Sequence, residues 1–196
     1  LLTWPFRKRF LRSKNFIVHN RKFVPKREGN GQMDTIEKKP EYYMRAAIGR
    51  AKTAAGEGEI PVGAVIVHKG KIIAGGRNRR EKAKCALCHA EIAAIEGACR
   101  KLSGWRLFEC DLYVTLEPCP MCAGAIINAR IKRVYIGTRD PKAGSFGSVI
   151  NFNDLPYNHK PELIYGVCAK ECSALLTDFF RELREKKKEQ KKQRKE

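Results

Sequence analysis

Two short segments about 30 positions apart constrain the fold of this chain more than anything else in it: Cys88-His89-Ala90-Glu91 and Pro118-Cys119-Pro120-Met121-Cys122. Each opens a stretch with helical spacing, Ala90–Leu102 in the first case and about Pro120–Ala129 in the second. A helix start carries unpaired backbone N–H groups and the positive end of the helix dipole, both of which stabilise a thiolate and hence metal ligation. Between the two stretches, Leu112–Leu116 is short and apolar and reads as a strand. A fold that uses both segments must therefore bring the chain back, after one helix–strand unit, so that two helix starts lie side by side. His89, Cys119 and Cys122 then offer three ligands and leave a fourth position for water, which is the arrangement of a catalytic zinc site. Two thiolates and a neutral imidazole also balance the charge of Zn2+. Glu91 is not needed as a ligand, and two residues beyond His89 it can accept and return a proton.

Taken singly, the motifs say less. A lone Cys-x-x-Cys can be a redox pair or core packing, and His-x-Glu alone carries almost no information. Together they match the His-x-Glu…Pro-Cys-x-x-Cys signature of zinc nucleobase deaminases. Cys85-Ala86-Leu87-Cys88-His89 also fits the pattern for covalent haem attachment. That chemistry requires export to an oxidising compartment and would leave Cys119 and Cys122 without a role. The N-terminal residues show neither a 7–15-residue apolar core nor a small-residue cleavage site, so they do not read as a secretory signal. Eight cysteines without an export signal favour a reducing compartment and a metal over a disulfide framework. No apolar run approaches the ~18–20 residues needed to span a membrane.

The remaining pattern supplies the frame. Pro40–Thr53 reads as a helix with Tyr43, Ala46, Ala47 and Ala51 on one face, and Ile60–Val67 as a β-branched strand. Lys69-Gly70 turns the chain into Ile72–Gly75, which makes an antiparallel hairpin. Ala90–Leu102 directs Ile92, Ala93, Ile95 and Cys99 inward. Val134–Ile136 and Leu163–Val167 are further strands, and a long helix begins near Ala169. An opening hairpin followed by alternating helices and strands implies an α/β protein, a three-layer α/β/α domain around a mixed sheet of about five strands.

The 196 residues and 43% hydrophobic content suit one domain with tails. The net charge of +19 is unevenly spread. Residues 1–32 hold nine basic side chains and one acid, and 181–196 hold nine basic and four acidic ones. Basic ends on a modestly basic body suit a polyanion, either nucleic acid or an acidic membrane surface, and a charged tail can equally be a solvated helix end. Residues 1–32 are expected to be a disordered or extraneous basic leader, with Met33 as the natural start; Arg-rich composition also allows an organelle-targeting leader. A domain over 33–184 and a basic helical tail over 185–196 complete the expected layout.

At these residues the chain resembles the bacterial tRNA-specific adenosine deaminases of the cytidine/deoxycytidylate deaminase superfamily. The likeness covers about 41–184. It runs through Glu59-Ile60-Pro61-Val62-Gly63, Gly76-Arg77-Asn78-Arg79, the two metal segments, Gly137-Thr138-Arg139-Asp140-Pro141-Lys142, Asn158-His159 and Phe179-Phe180-Arg181. The resemblance implies a cytidine-deaminase-like fold and one Zn2+ per subunit held by His89, Cys119 and Cys122. Hydrolytic deamination of the wobble adenosine of a tRNA anticodon stem-loop to inosine would then be carried by Glu91. It further implies that Asn78 hydrogen-bonds the flipped adenine, that Asp140 and Lys142 contact the adjacent nucleotide, and that Phe180 and Arg181 grip the anticodon loop. A homodimer in the cytoplasm is implied in the same way. Cys85-Ala86-Leu87-Cys88 departs from the family's usual Asp/Asn-Pro-Thr-Ala before the zinc histidine. The nearest alternative is a free-base or nucleoside deaminase acting on guanine, cytosine or cytidine, which would have no use for the basic ends. A non-catalytic RNA-binding protein with a structural zinc is disfavoured by Glu91, because a structural site needs four ligands and no acid/base.

Overall fold

A computed structural model describes residues 39–194. The leader at 1–32 and the start at Met33 lie outside the described residues. The order of elements is α1 (Pro40–Gly56), β1 (Gly63–His68), β2 (Lys71–Arg77), α2 (Arg80–Ala83), α3 (Ala90–Leu102), β3 (Cys110–Leu116), α4 (Pro120–Asn128), β4 (Arg133–Thr138), a 3₁₀ turn (Phe152–Asp154), β5 (Glu162–Tyr165) and α5 (Ala169–Gln193). The five strands form one mixed sheet in the order β2-β1-β3-β4-β5. β1 is antiparallel to both β2 and β3, while β3, β4 and β5 run parallel.

Strand side chains alternate between two cores, because successive residues point to opposite faces. Ala64, Ile66, Leu112, Val114, Val134 and Ile136 face α3 and α4. Val65, Val67, Tyr113 and Tyr135 face the other way, against Tyr43, Met44, Ala47 and Ile48 of α1 and Cys172 of α5. The three-layer α/β/α arrangement follows from this alternation. On the α1 side, Tyr113 stacks on Tyr135 at 4.2 Å between centroids, and Tyr43 lies 5.1 Å from Tyr113.

Several features differ from the sequence reading. β1 begins at Gly63 because Val62 N–H turns back to the Ile60 carbonyl at 2.8 Å, and Pro61 has no N–H to give a ladder. β5 ends at Tyr165 because Gly166 takes a positive φ of 83°. The short helix α2 was not expected. The inward face of α3 also needs correction. Ala90, Glu91, Ala94 and Ala98 are buried, while Ile92, Ala93, Ile95 and Cys99 are only partly covered. A Cβ on Gly76 of β2 would lie 2.1 Å from the Ala90 carbonyl oxygen and 2.8 Å from the Ala93 Cβ. The helix thus presses directly on the strand, and only small side chains fit between them. On α1, Ala46 is likewise half-buried, whereas Met44, Ile48 and Ala54 join the core.

The turn at Lys69-Gly70 puts both residues at positive φ (48° and 71°), the two-residue turn that suits strand twist. β2 therefore runs in the direction of β3 and β4. The carboxyl ends of all three strands meet at one edge of the sheet, where ligands of open α/β sheets bind.

Candidate metal centre

At that edge two helices start. His89 is the N-cap of α3, with extended backbone (φ −84°, ψ 155°), and Cys119 is the N-cap of α4, followed by Pro120 in the first turn. Proline is tolerated there because the first N–H groups of a helix have no intrahelical partner. Cys122, one turn further along α4, is fully buried. His89 Nδ1 lies 3.7 Å from Cys119 Sγ and 3.5 Å from Cys122 Sγ. The three ligand atoms all lie within 4.8 Å of one another, and they form the one such cluster among the described residues.

These spacings fit zinc. Tetrahedral bonds of ~2.3 Å to sulfur and ~2.0–2.1 Å to nitrogen place S and N about 3.6 Å apart. The donor set is the soft, mixed S/N kind that zinc prefers. Hydrogen bonds among the three groups already favour deprotonated sulfur. The Cys122 thiol donating to Cys119, with His89 adding a second bond against the opposing cost of burial, brings Cys119 down to about 4. Cys122 holds its proton tightly in exchange, because that proton is the one shared with Cys119. His89 is raised chiefly by its bond to Cys119. A cation at the centre of the triangle would take the place of these shared protons.

Glu91, in the first turn of α3, is 3% exposed, and burial pushes its carboxyl above the ordinary range. Its Oε2 is buried with no hydrogen-bond partner. A buried oxygen without a partner is costly and uncommon. In a pocket also lined by His89 and Cys119, it is an acceptor waiting for a group that the protein does not supply.

The same pocket brings together Asn78, 5% exposed, and Asp140. Asn78 follows β2, and its N–H bonds the Val62 carbonyl at 3.0 Å. Lys142 is exposed and does not line the pocket, although its N–H bonds Asp140 Oδ1 at 2.9 Å. Phe180 and Arg181 lie elsewhere, on α5. Phe180 is exposed against Phe179, and Arg181 pairs with Asp178 at 2.7 Å. Cys85 and Cys88 are half-exposed in the loop before α3 and contribute no atom to the ligand triangle.

Sequence reasoning assigned no role to Glu59 or Glu117, which are 1% and 2% exposed. Glu59 accepts the N–H groups of Glu81 and Lys82 at 3.2 and 2.8 Å, and so holds the start of α2, whose Arg80 lines the pocket. Glu117 lines the pocket and accepts from the 140–148 segment opposite. The available signal was an acidic residue directly abutting an apolar strand in each case.

Comparison with known proteins agrees with this geometry. Residues 38–184 match the family described as MafB19-like deaminase. The chain is 48% identical over 149 residues to the tRNA-specific adenosine deaminase of Bacillus subtilis (strain 168), covering 76% of this chain and 92% of that protein. Among solved structures, it is similar to one from a study of A-to-I editing by tRNA:A34 deaminases at the wobble position. That match has a TM-score of 0.67 and 43% identity, and covers 69% of this chain and 99% of the other. Guanine deaminase from Nitrosomonas europaea shares the fold, at 24% identity and a TM-score of 0.65 over 72% of this chain and 84% of that one.

Proposed function

The chain belongs to the MafB19-like deaminase family and to the tRNA-specific adenosine deaminases, and from that premise we propose that it converts the wobble adenosine of a tRNA anticodon to inosine by zinc-dependent hydrolysis. The observation that carries the chemistry is the unpartnered, buried Oε2 of Glu91 in one pocket with His89 and Cys119. His89, Cys119 and Cys122 would hold one Zn2+ per subunit. When bound, the metal supplies Lewis acidity that brings the pKa of a coordinated water from 15.7 down to about 7.

Glu91 then handles the protons. Its carboxylate accepts one from the water whose oxygen adds to C6 of the adenine and passes it to the ring nitrogen N1, then accepts the second from the new C6 hydroxyl and passes it to the departing amine. The products are inosine and ammonia, so water is the only co-reactant. Asn78, at the pocket wall, would donate to and accept from the edge of the base. Asp140 and Lys142 would hold the neighbouring nucleotide, and Phe180 with Arg181 would grip the anticodon loop. A loop base suits such a pocket because it costs less to extrude than a duplex base. The basic ends would draw in the RNA. A homodimer in the cytoplasm completes the proposal, with the deaminase domain at 33–184 and a basic helical tail at 185–196.

The test is to incubate the purified, zinc-loaded chain with a tRNA carrying adenosine at the wobble position, and in parallel with free guanine, cytosine and cytidine. Inosine at that one position is the expected product. Turnover of a free base or of cytidine with no inosine in the tRNA would replace the proposal with the free-base or nucleoside alternative.

A further inference from the structure

The 140–148 segment forms one wall of the pocket, through Asp140 and Ala143, and is wound around a single carboxylate. Glu117 follows β3 directly, and its own N–H is fixed to the Thr138 carbonyl at 2.9 Å. Its Oε1 accepts the N–H groups of Phe146 and Ser148 at 3.0 and 3.1 Å. Its Oε2 accepts the N–H of Asp140 at 3.2 Å and the hydroxyl of Ser148. Four donors and no acceptor face the group, which uses the full accepting capacity of a carboxylate. The fit is close. A Cβ on Gly144 would lie 2.5 Å from Glu117 Cδ and 2.6 Å from both Glu117 Oε2 and the Asp140 carbonyl oxygen.

We propose that Glu117 is a positioning residue: by holding the 140–148 wall it sets Asp140, and through Asp140 the grip on the nucleotide beside the reacting base. The inference rests on the tRNA deaminase reading above. The chemistry of the cradle says which bond matters. A Gln at this position must turn its NH2 toward one pair of donors. Toward Phe146 and Ser148 it would oppose two backbone N–H groups. Toward the other pair, the Ser148 hydroxyl can rotate and accept, leaving the Asp140 N–H as the single donor without an acceptor. The less costly arrangement thus releases Asp140 specifically, and the start of α2, held by Glu59, is untouched.

The experiment uses the full zinc-loaded chain and an anticodon stem-loop with adenosine at the wobble position. Glu117→Gln should lower kcat/KM about 10-fold, the cost of one part-buried donor left unsatisfied, with most of the change in KM. Zinc content should stay at the wild-type level. In an Asp140→Ala background, Glu117→Gln should cost less than about 2-fold more, because residues acting as one unit are not additive. Fully additive losses would overturn the proposal, as would an unchanged kcat/KM, or loss of zinc, which would tie Glu117 to Cys119 instead. Ser148→Ala removes one donor only and should show the same KM-borne loss on a smaller scale; an unchanged KM there would count against the proposal. Hydrogen exchange supplies an arm independent of substrate. Glu117→Gln should speed exchange of peptides covering 139–150 and leave those covering 78–91 unchanged, and uniform or absent change would overturn the clamp. A wild-type chain that forms no inosine would fail the deaminase reading, while the exchange result would still decide the clamp.

Discussion

Replacing Glu91 by Gln exchanges one oxygen for an NH2 at constant size, at a position where Oε2 already lacks a partner in the folded chain. Folding and metal content should therefore survive, while turnover falls by at least ~10²–10⁴-fold, the usual loss when a general acid/base is removed. Cys119→Ala and Cys122→Ala should lose the metal together with activity. Elemental analysis beside turnover separates the two cases, and a zinc-free Glu91→Gln protein would make Glu91 a ligand. His89, Glu91, Cys119 and Cys122 could be singled out in the sequence because ligation and proton transfer demand particular residue types at helix starts, and the fold brings the three candidate ligands together with Glu91 beside them. Glu59 and Glu117 could not be singled out. Apart from the Ser148 hydroxyl, their partners are backbone N–H groups 22 to 31 positions away, and a backbone amide leaves no mark in the residue alphabet.

The helices and strands themselves were nearly all legible, since each carries its own period of 3.6 or 2. What periodicity did not give was how closely α3 sits on the sheet. An apolar stripe read by size points Ile92 and Ile95 inward, yet contact with β2 at Gly76 admits only the alanines. Gly76→Ala tests that contact. Its Cβ meets backbone atoms, which cannot swing aside, so the substitution should cost about 1–3 kcal/mol and lower the melting temperature. Because α3 carries His89 and Glu91 at its start, zinc affinity and turnover should fall with stability. An unchanged melting temperature would show that α3 does not bear on the strand as described. The same substitution at Gly49, an exposed position inside α1 where a Cβ meets nothing within 4 Å, is the control and should leave stability unchanged or raise it by up to about 1 kcal/mol.

Across the whole molecule, charge and order are distributed unequally. α5 is 25 residues long, about 37 Å at 1.5 Å per residue, and every described position from Phe180 onward is exposed. Removing the chain beyond Arg184 should weaken RNA binding and flatten its dependence on salt, by roughly 0.7–0.9 in the log–log slope for each phosphate that the tail would have neutralised. A slope that does not change would make the tail a solvated helix end. Among the described residues, no helix is long and apolar enough to cross a membrane. The length of α5 has one more consequence. Its inner half is fastened to the sheet through Cys172 and Leu175, and among the described residues its outer half leans on nothing but its own turns. A helical segment of that size without tertiary support is marginal in water. Heating is therefore expected to unwind the outer turns gradually, before the sheet with its His89, Cys119 and Cys122 cluster gives way in one cooperative step.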